Sequence, residues 1–512
     1  LGDVYKRQDG SHITYDNNML YKNVKVPYAA DYADGDLDVS PLSSNHGTHV
    51  AGTIAGFAST EEGEVKFSGI APDAQILAMK VFPDADGGAQ EGVLINALED
   101  SLRLGADMIN LSLGSDNGFA DDDSMQKELY KRVNNAGIVL MTAAGNSEKS
   151  SDNNNYGGNS LTSNPDESMM SSPAIYESNL SVASIDNTIA VQPYLSWKDE
   201  DGVEHNVYYN NSSSGALKAN FDGNEEYPIY AVGGVGTYDD YAKVGFNNGY
   251  NNGKTGFALV KRGEISFADK INNALSFSGV NSQNEPYGVL GVIVYDNDPN
   301  GTSLITMSTD GAAMSSAFIS GKDGATIVEA LEKGYEVKIK IYKEDATIDN
   351  STAGQMSSFT SWGSGQALEL KPEITAPGGN IWSTVAGGST AGGEVYTGSY
   401  AMMSGTSMAT PHMSGIGLLV REYINKQTAF EGISSKEVSD LVSQLLVSTA
   451  VPQKDENGVY YSPRQQGSGL VNTSAAMTTP AYITVDGQTV GKLELGDDPE
   501  KTGVYDLSLI HI

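Results

Sequence analysis

The sequence contains no cysteine. Disulfides and thiolate metal sites are therefore excluded, while the compartment is left open, since cysteine-free chains occur in the cytosol and outside the cell. No run of about 18 apolar residues is present, which excludes a transmembrane helix of ordinary length. No signal-peptide pattern is visible either; the chain starts at Leu1 rather than Met and reads as a fragment or a processed form. Basic residues are scarce, with 31 Lys and Arg against 65 Asp and Glu, a formal net charge of −34. A surface of that sign repels phosphate backbones, which argues against nucleic acid and against anionic membranes as partners. Most of these carboxylates read as solvated groups that keep the chain soluble.

What is present is a chain of 512 residues, long enough for about two to four domains. Its 58 glycines point to tight turns and close backbone approaches. Asn45 to Gly56 (NHGTHVAGTIAG) reads as a helix packed closely on a neighbour. Strands are expected at Ala74–Phe82, Asp107–Leu113 and Ile138–Ala143, and helices at Glu91–Leu104 and Met125–Ala136. This alternation is that of a parallel sheet with crossover helices. The segment 150–166, rich in Ser, Asn and Asp, reads as a surface loop, and a strand follows within Ile175–Ile185.

From about Pro193 to Ser351 the texture changes to short β-like runs, such as Gly256–Val260 and Gly288–Tyr295, with a helix at Ser266–Ala274, an inserted α+β domain. The parallel-sheet texture resumes at Phe359, with helices from Ser407 to about Val420 and from Ser435 to about Leu446. After Ala481 the pattern alternates with period two around Asp486-Gly487, a hairpin signal. The end stretches LGDVYKRQ and DLSLIHI fit none of these patterns and do not read as native protein.

Chemistry concentrates at a few positions. Ser407 opens a helix in GTSMATPHMSGIGLLV. A serine hydroxyl is a weak nucleophile until a base takes its proton, and a helix start places the positive dipole end beside a developing oxyanion. Pro411 is expected in the first turn, where a missing N–H costs little. His46 stands at the start of its helix and is a candidate base, although a lone histidine there is as readily structural. His49 invites a metal-pair reading, but no HExxH glutamate and no third ligand accompany it, so it reads as a packed residue behind His46. His412 is read the same way. Asn146, in TAAGNS after a strand, is either a turn residue or an amide donor aimed at an oxyanion.

In combination the motifs narrow these alternatives. NHGTHVAGTIAG, NLSLGS (110–115), AAGNS, KPEITAPG (371–378) and GTSMATPH follow one another in that order. Together they strongly resemble the subtilisin-like serine proteases, over about Asn23 to Ala476. The resemblance implies a three-layer α/β domain with a mostly parallel central sheet. It implies His46 as general base, Ser407 as nucleophile, and Asn146 with the Ser407 N–H as oxyanion donors. It also implies Ser112, Leu113 and Gly114 as the edge that pairs with substrate backbone, and Gly145 as a wall of the primary specificity pocket. The insertion, with GKTGFALVKRGEISFADKINNALSFSGV and GVIVYDND, is similar to a protease-associated domain. The expected layout is catalytic domain at 9–192 and 353–478, insert at 193–352, and the start of a β-sandwich-like domain at 479–506.

One part departs from the family pattern. A triad needs a carboxylate to orient the histidine. The family sets it at the end of an apolar strand followed by a small residue and glycine, and no such strand is evident before His46. Asp16 lies upstream in the polar stretch HITYDNNM and lacks that glycine. Asp31, Asp34, Asp36 and Asp38 read as a solvated acidic loop or, failing that, calcium ligands. The simplest expectation is that the chain begins downstream of the aspartate.

The resemblance further implies an extracellular or wall-associated enzyme of Gram-positive type that acts on protein or peptide substrates. Such an enzyme needs no cofactor for its chemistry, though structural calcium is common in the family. The competing reading is a binding or regulatory protein on the same scaffold with impaired catalysis. An α/β-hydrolase esterase is excluded, because Ser407 is not in GxSxG and the histidine precedes the serine.

Overall fold

A computed structural model of the chain describes residues 4–6, 12–14, 22–40, 44–85, 88–120, 124–150, 168–212, 217–221, 223–249, 252–302, 304–305, 307, 314–365, 368–386, 388–389, 395–396, 400–485, 488–489, 492 and 507–511. It divides into two compact units, one of residues 1–190 and 349–512, the other of 191–348.

In the first unit the elements that frame the site run in chain order. They are β1 (Tyr28–Asp31), α1 (His46–Ala55), β2 (Leu77–Lys80), α2 (Glu91–Leu104), β3 (Met108–Leu111), α3 (Met125–Asn135), β4 (Val139–Ala143) and β5 (Leu180–Asp186). After the second unit come β6 (Ile374–Gly379), β7 (Ile381–Thr384), β8 (Tyr400–Met403), α4 (Thr406–Lys426) and α5 (Ser435–Ser448). The strands expected at Ala74–Phe82, Asp107–Leu113 and Ile138–Ala143 are present but shorter, whereas the strand expected within Ile175–Ile185 runs one residue further, to Asp186.

Strands β3, β4, β5 and β6 form one parallel sheet in that order. The run Ile138–Ala143 is buried throughout because both faces of this sheet are covered, and its one polar side chain, Thr142, donates to the Leu180 carbonyl at 3.4 Å. Val139 and Met141 join a core with Met413 and Val420 of α4 and Leu441 and Leu445 of α5. Leu140 joins the opposite core with Leu98 of α2 and Leu129 and Val133 of α3. Side chains that alternate between two helical layers make the unit a three-layer α/β structure. Helix α4 approaches the sheet closely at Gly417, where an added Cβ would lie 2.6 Å from the Met108 methyl.

A separate parallel pair is formed by β1 and β2, with Ala29 opposite Ala78 and Asp31 opposite Lys80. Leu77 to Lys80 of β2 and Met108 to Leu111 of β3 line the same cleft, about 1900 Å³ in volume, under the apolar faces of α1 and α2.

The second unit is a closed β-structure. Strands Gly256–Lys261, Glu226–Val232, Lys338–Ile341, Tyr194–Lys198, Glu204–Asn211, Ser316–Ile319 and Pro286–Tyr295 pair in that order, and the last returns to the first. One core holds Leu195, Trp197, Tyr209, Ile229 and Phe257, and a second holds Phe246, Val260, Ile271 and Val292. Helix Phe267–Leu275 starts one residue after the expected position, because Ser266 caps it by accepting from the Asp269 N–H.

Other expectations meet the structure less evenly. The proposed loop 150–166 lies, but for its first residue, outside the described residues, as does the turn Asp486-Gly487. The hairpin strands on either side of that turn are present, with Val485 opposite Gln488. The end stretches set aside on sequence grounds carry strands: Val4–Lys6 pairs with His12–Thr14, and Leu507–His511 pairs with Ala481–Val485.

Candidate active site

Helix α4 begins against the end of β4. Gly405 is its N-cap and Ser407 its second residue. The Thr406 N–H and hydroxyl both donate to Asn146 Oδ1 at 2.9 Å, and the Gly145 N–H donates to Thr406 Oγ1 at 3.2 Å. Two donors on one amide oxygen fix the orientation of Asn146 and turn its Nδ2 outward. The position a Cβ would take on Gly405 lies 3.5 Å from Asn146 Nδ2 and 3.6 Å from the Ser407 nitrogen. Two N–H donors thus border one small space at a positive helix end.

The end of β3 clasps the same turn. Ser112 Oγ donates to the Ser407 carbonyl at 2.7 Å, and Ser407 Oγ donates to the Ser112 carbonyl at 3.3 Å. Beyond Ser112, the main chain of Leu113 and Gly114 makes no backbone hydrogen bond to a described residue, which leaves a short strand edge open. Gly145 adopts a positive φ of 114°, and an added Cβ there would meet Ser361 Oγ at 2.6 Å. Both reasons demand glycine at that wall.

His46 is the first residue of α1. The helix is pinned to β7: Ser383 Oγ donates to the His49 carbonyl at 2.8 Å and Thr384 Oγ1 to the Thr48 carbonyl at 3.0 Å. Asn45 Oδ1 accepts from the Ala386 N–H at 2.9 Å. Burial holds the His46 imidazole below its ordinary pKa, so the neutral, proton-accepting form is favoured. No described residue hydrogen-bonds the His46 imidazole, and the Ser407 hydroxyl points to Ser112 instead. His46, Ser112, Leu113, Gly114, Gly145, Asn146 and Ser407 nevertheless line the one cleft.

His49 is fully buried, with Nε2 3.0 Å from the Ile381 carbonyl and 3.2 Å from the Ala401 carbonyl, so it ties α1 to β7 and β8. His412 contacts the Met408 carbonyl through Nδ1 at 3.1 Å. Neither shares a metal-holding cluster with other described side chains. Pro411 is not in the first turn as expected but is the sixth residue of α4.

The acidic segment needs a larger correction. A short buried strand, β1, precedes His46 and ends at Asp31, but Tyr32 and Ala33 follow it instead of the family's small residue and glycine. Asp31 is 2% exposed rather than solvated. It is not aimed at His46 either: Oδ2 is bound by Lys80 Nζ, and Oδ1 accepts from the N–H groups of Ala33 and Asp34 at 2.8 and 3.0 Å. Lys80 also pairs with Asp34 and Asp84, each at 3.0 Å. Oxygens of Asp31, Asp34 and Asp84 lie close enough together to hold a metal ion, but this ammonium already bridges all three. Asp16 lies outside the described residues. The sequence did carry one overlooked signal: Lys80 is the single charge in the apolar run AQILAMKVF.

The chain belongs to the subtilase family, whose sequence profile matches residues 9–469. A PII-type proteinase of Lactococcus lactis subsp. cremoris is 31% identical over 477 residues, 89% of this chain and 23% of that protein. A PII-type proteinase of Lacticaseibacillus paracasei is 30% identical over 470 residues, again 89% and 23%. A C5a peptidase of Streptococcus pyogenes is 31% identical over 512 residues, 98% of this chain and 39% of that protein. The chain therefore spans well under half the length of these curated relatives.

Proposed function

We propose that this chain carries the catalytic machinery of a secreted serine endopeptidase. The reading rests above all on one observation, the convergence of Asn146 Nδ2 and the Ser407 N–H beside the Ser407 hydroxyl at the start of α4. Ser407 Oγ attacks a peptide carbonyl and gives its proton to His46. The carbonyl oxygen, now anionic, lies between the two N–H donors. His46 then protonates the leaving amine, and water releases the acyl group by the reverse proton path. Substrate backbone pairs with the open edge at Ser112–Gly114, and its side chain enters the pocket walled by Gly145.

The fit is incomplete at one corner. No described carboxylate contacts the His46 imidazole, and burial lowers its proton affinity. The family resemblance supports a protease-associated domain for the insert, a further β domain from about residue 479, and an extracellular or wall-associated setting. Structural calcium, which the family resemblance implies, needs a site other than the Lys80 cluster, where the ammonium already bridges the three carboxylates.

A second reading is a subtilase-fold binding protein with impaired catalysis. It draws on a His46 imidazole that no described residue hydrogen-bonds and on the Ser407 hydroxyl turned toward Ser112. A fluorophosphonate carrying a fluorophore separates the two. Labelling of the folded protein that Ser407→Ala abolishes supports the peptidase. Folded protein that resists the label supports the binding reading.

A further inference from the structure

Helix α4 has a defect one turn past Ser407. In a regular helix the N–H of residue 411 would donate to the carbonyl of residue 407. Residue 411 is proline and has no N–H. The Ser407 carbonyl is therefore left without its helical partner, next to the proposed nucleophile. It accepts instead from Ser112 Oγ, at 2.7 Å. Ser112 is itself held. Asn110 Nδ2 donates to Ser112 Oγ at 2.9 Å, and Asn110 Oδ1 accepts from Ser414 Oγ at 2.9 Å. The relay leaves α4 at Ser414, crosses the end of β3 and returns to α4 at Ser407.

We infer that Ser112 is a positioning residue for the nucleophile, its hydroxyl replacing the helix hydrogen bond that Pro411 deletes. This deepens the peptidase reading and rests on it. The Ser407 carbonyl fixes the peptide plane just after the nucleophile. Ser112 thereby holds the first turn of α4, and with it the directions of the Ser407 hydroxyl and N–H. The same residue begins the edge proposed to pair with substrate. A substrate strand drawn onto Ser112–Gly114 is thus connected to the nucleophile through one side chain.

The test uses the full chain, a fluorophosphonate label, and four proteins: parent, Ser112→Ala, Pro411→Ala and the double variant. In the labelling step Ser407 Oγ bonds to phosphorus, fluoride leaves, and the hydroxyl proton passes to His46. Losing one hydrogen bond of ordinary worth should slow the maximal labelling rate about three- to tenfold with half-saturation unchanged. Ser112→Thr, which keeps the hydroxyl, should restore the rate. In the Pro411→Ala background residue 411 regains an N–H for the Ser407 carbonyl, so Ser112→Ala should then cost less than about twofold. An undiminished Ser112→Ala effect in that background, or a parent-like rate for Ser112→Ala alone, overturns the inference.

Denaturation midpoints of the same four proteins test the exchange of hydrogen bonds without relying on reactivity. Additive shifts refute it even if nothing labels. A parent that fails to label while the midpoints are coupled counts against the peptidase reading and leaves the hydrogen-bond exchange standing.

Discussion

Replacing Lys80 with methionine should turn a stabilising ion cluster into a conditional cation site. The lysine nitrogen bridges Asp31, Asp34 and Asp84, and the Asp31 side chain is fully buried. Burial opposes the lysine charge, but the three carboxylates outweigh it and push its pKa up. Methionine keeps the stem and removes the charge. Three acceptor oxygens within 4.8 Å of one another are then left uncompensated. At an effective dielectric of about 20, two unit charges at that separation repel by roughly 3.5 kcal/mol. Asp34 and Asp84 are each about one-third exposed, so water screens part of this. Orphaning a buried partner costs about 3–5 kcal/mol, and the exposure of two members favours the lower end.

Urea unfolding in EDTA at neutral pH should show that loss in Lys80→Met, with little loss in Lys80→Arg. Calcium should recover part of it, up to about 2.7 kcal/mol when its concentration is 100 times the dissociation constant. Acidification should recover part as well, because protonation relieves the repulsion. A Lys80→Met protein within about 1 kcal/mol of the parent in EDTA would show that the lysine does not hold this cluster together. A variant destabilised as expected but indifferent to calcium would refute the carboxylate geometry.

Three further outcomes are expected. Asn146→Asp keeps the oxygen that anchors Thr406 but loses the outward amide donor, so turnover should fall about 10²–10³-fold at similar substrate affinity; the size is carried over from the equivalent donor in a relative of this family rather than worked from this structure. A pure loss of affinity would mean that the amide does not serve the oxyanion. His46, His49 and His412 all have pKa values lowered by burial. The unfolded chain therefore binds their protons first as pH falls below 6.5, and the stability present above that value is lost progressively toward the folded values. Urea midpoints that stay level or rise between pH 6.5 and about 5 would contradict this, while the acid limb of labelling should lie below the ordinary histidine value. Gly52→Ala would place a Cβ 2.0 Å from Thr384 Oγ1 and 2.6 Å from Ser383 Oγ, the hydroxyls that pin α1. It should cost about 1–3 kcal/mol and slow labelling through His46, and an unchanged urea midpoint would show that β7 yields freely.

What the sequence made legible was what neighbouring residues decide among themselves. The alternation of strands and helices around β4 marked a parallel sheet with crossover helices, and the small residues after His46 marked a tightly packed helix. Short motifs named the residues that share the cleft because each motif combines a functional side chain with the local turn that presents it. Misreadings arose where partners lie far apart in sequence. Asp31 looked like one more solvated carboxylate among Asp34, Asp36 and Asp38, yet Lys80, 49 residues on, draws it inside. Pro411 looked harmless on the premise that it lay in the first turn. Its place as sixth residue deprives the Ser407 carbonyl of a donor, and Ser112, 295 residues earlier, supplies one. In both cases local composition suggested an innocuous group, while the structure shows a polar atom whose partner had to come from a distant part of the chain. Buried polar atoms must be matched wherever they arise. The unmatched residue in an otherwise regular pattern, a lysine in an apolar run or a proline inside a helix, is therefore the local sign that a distant partner exists.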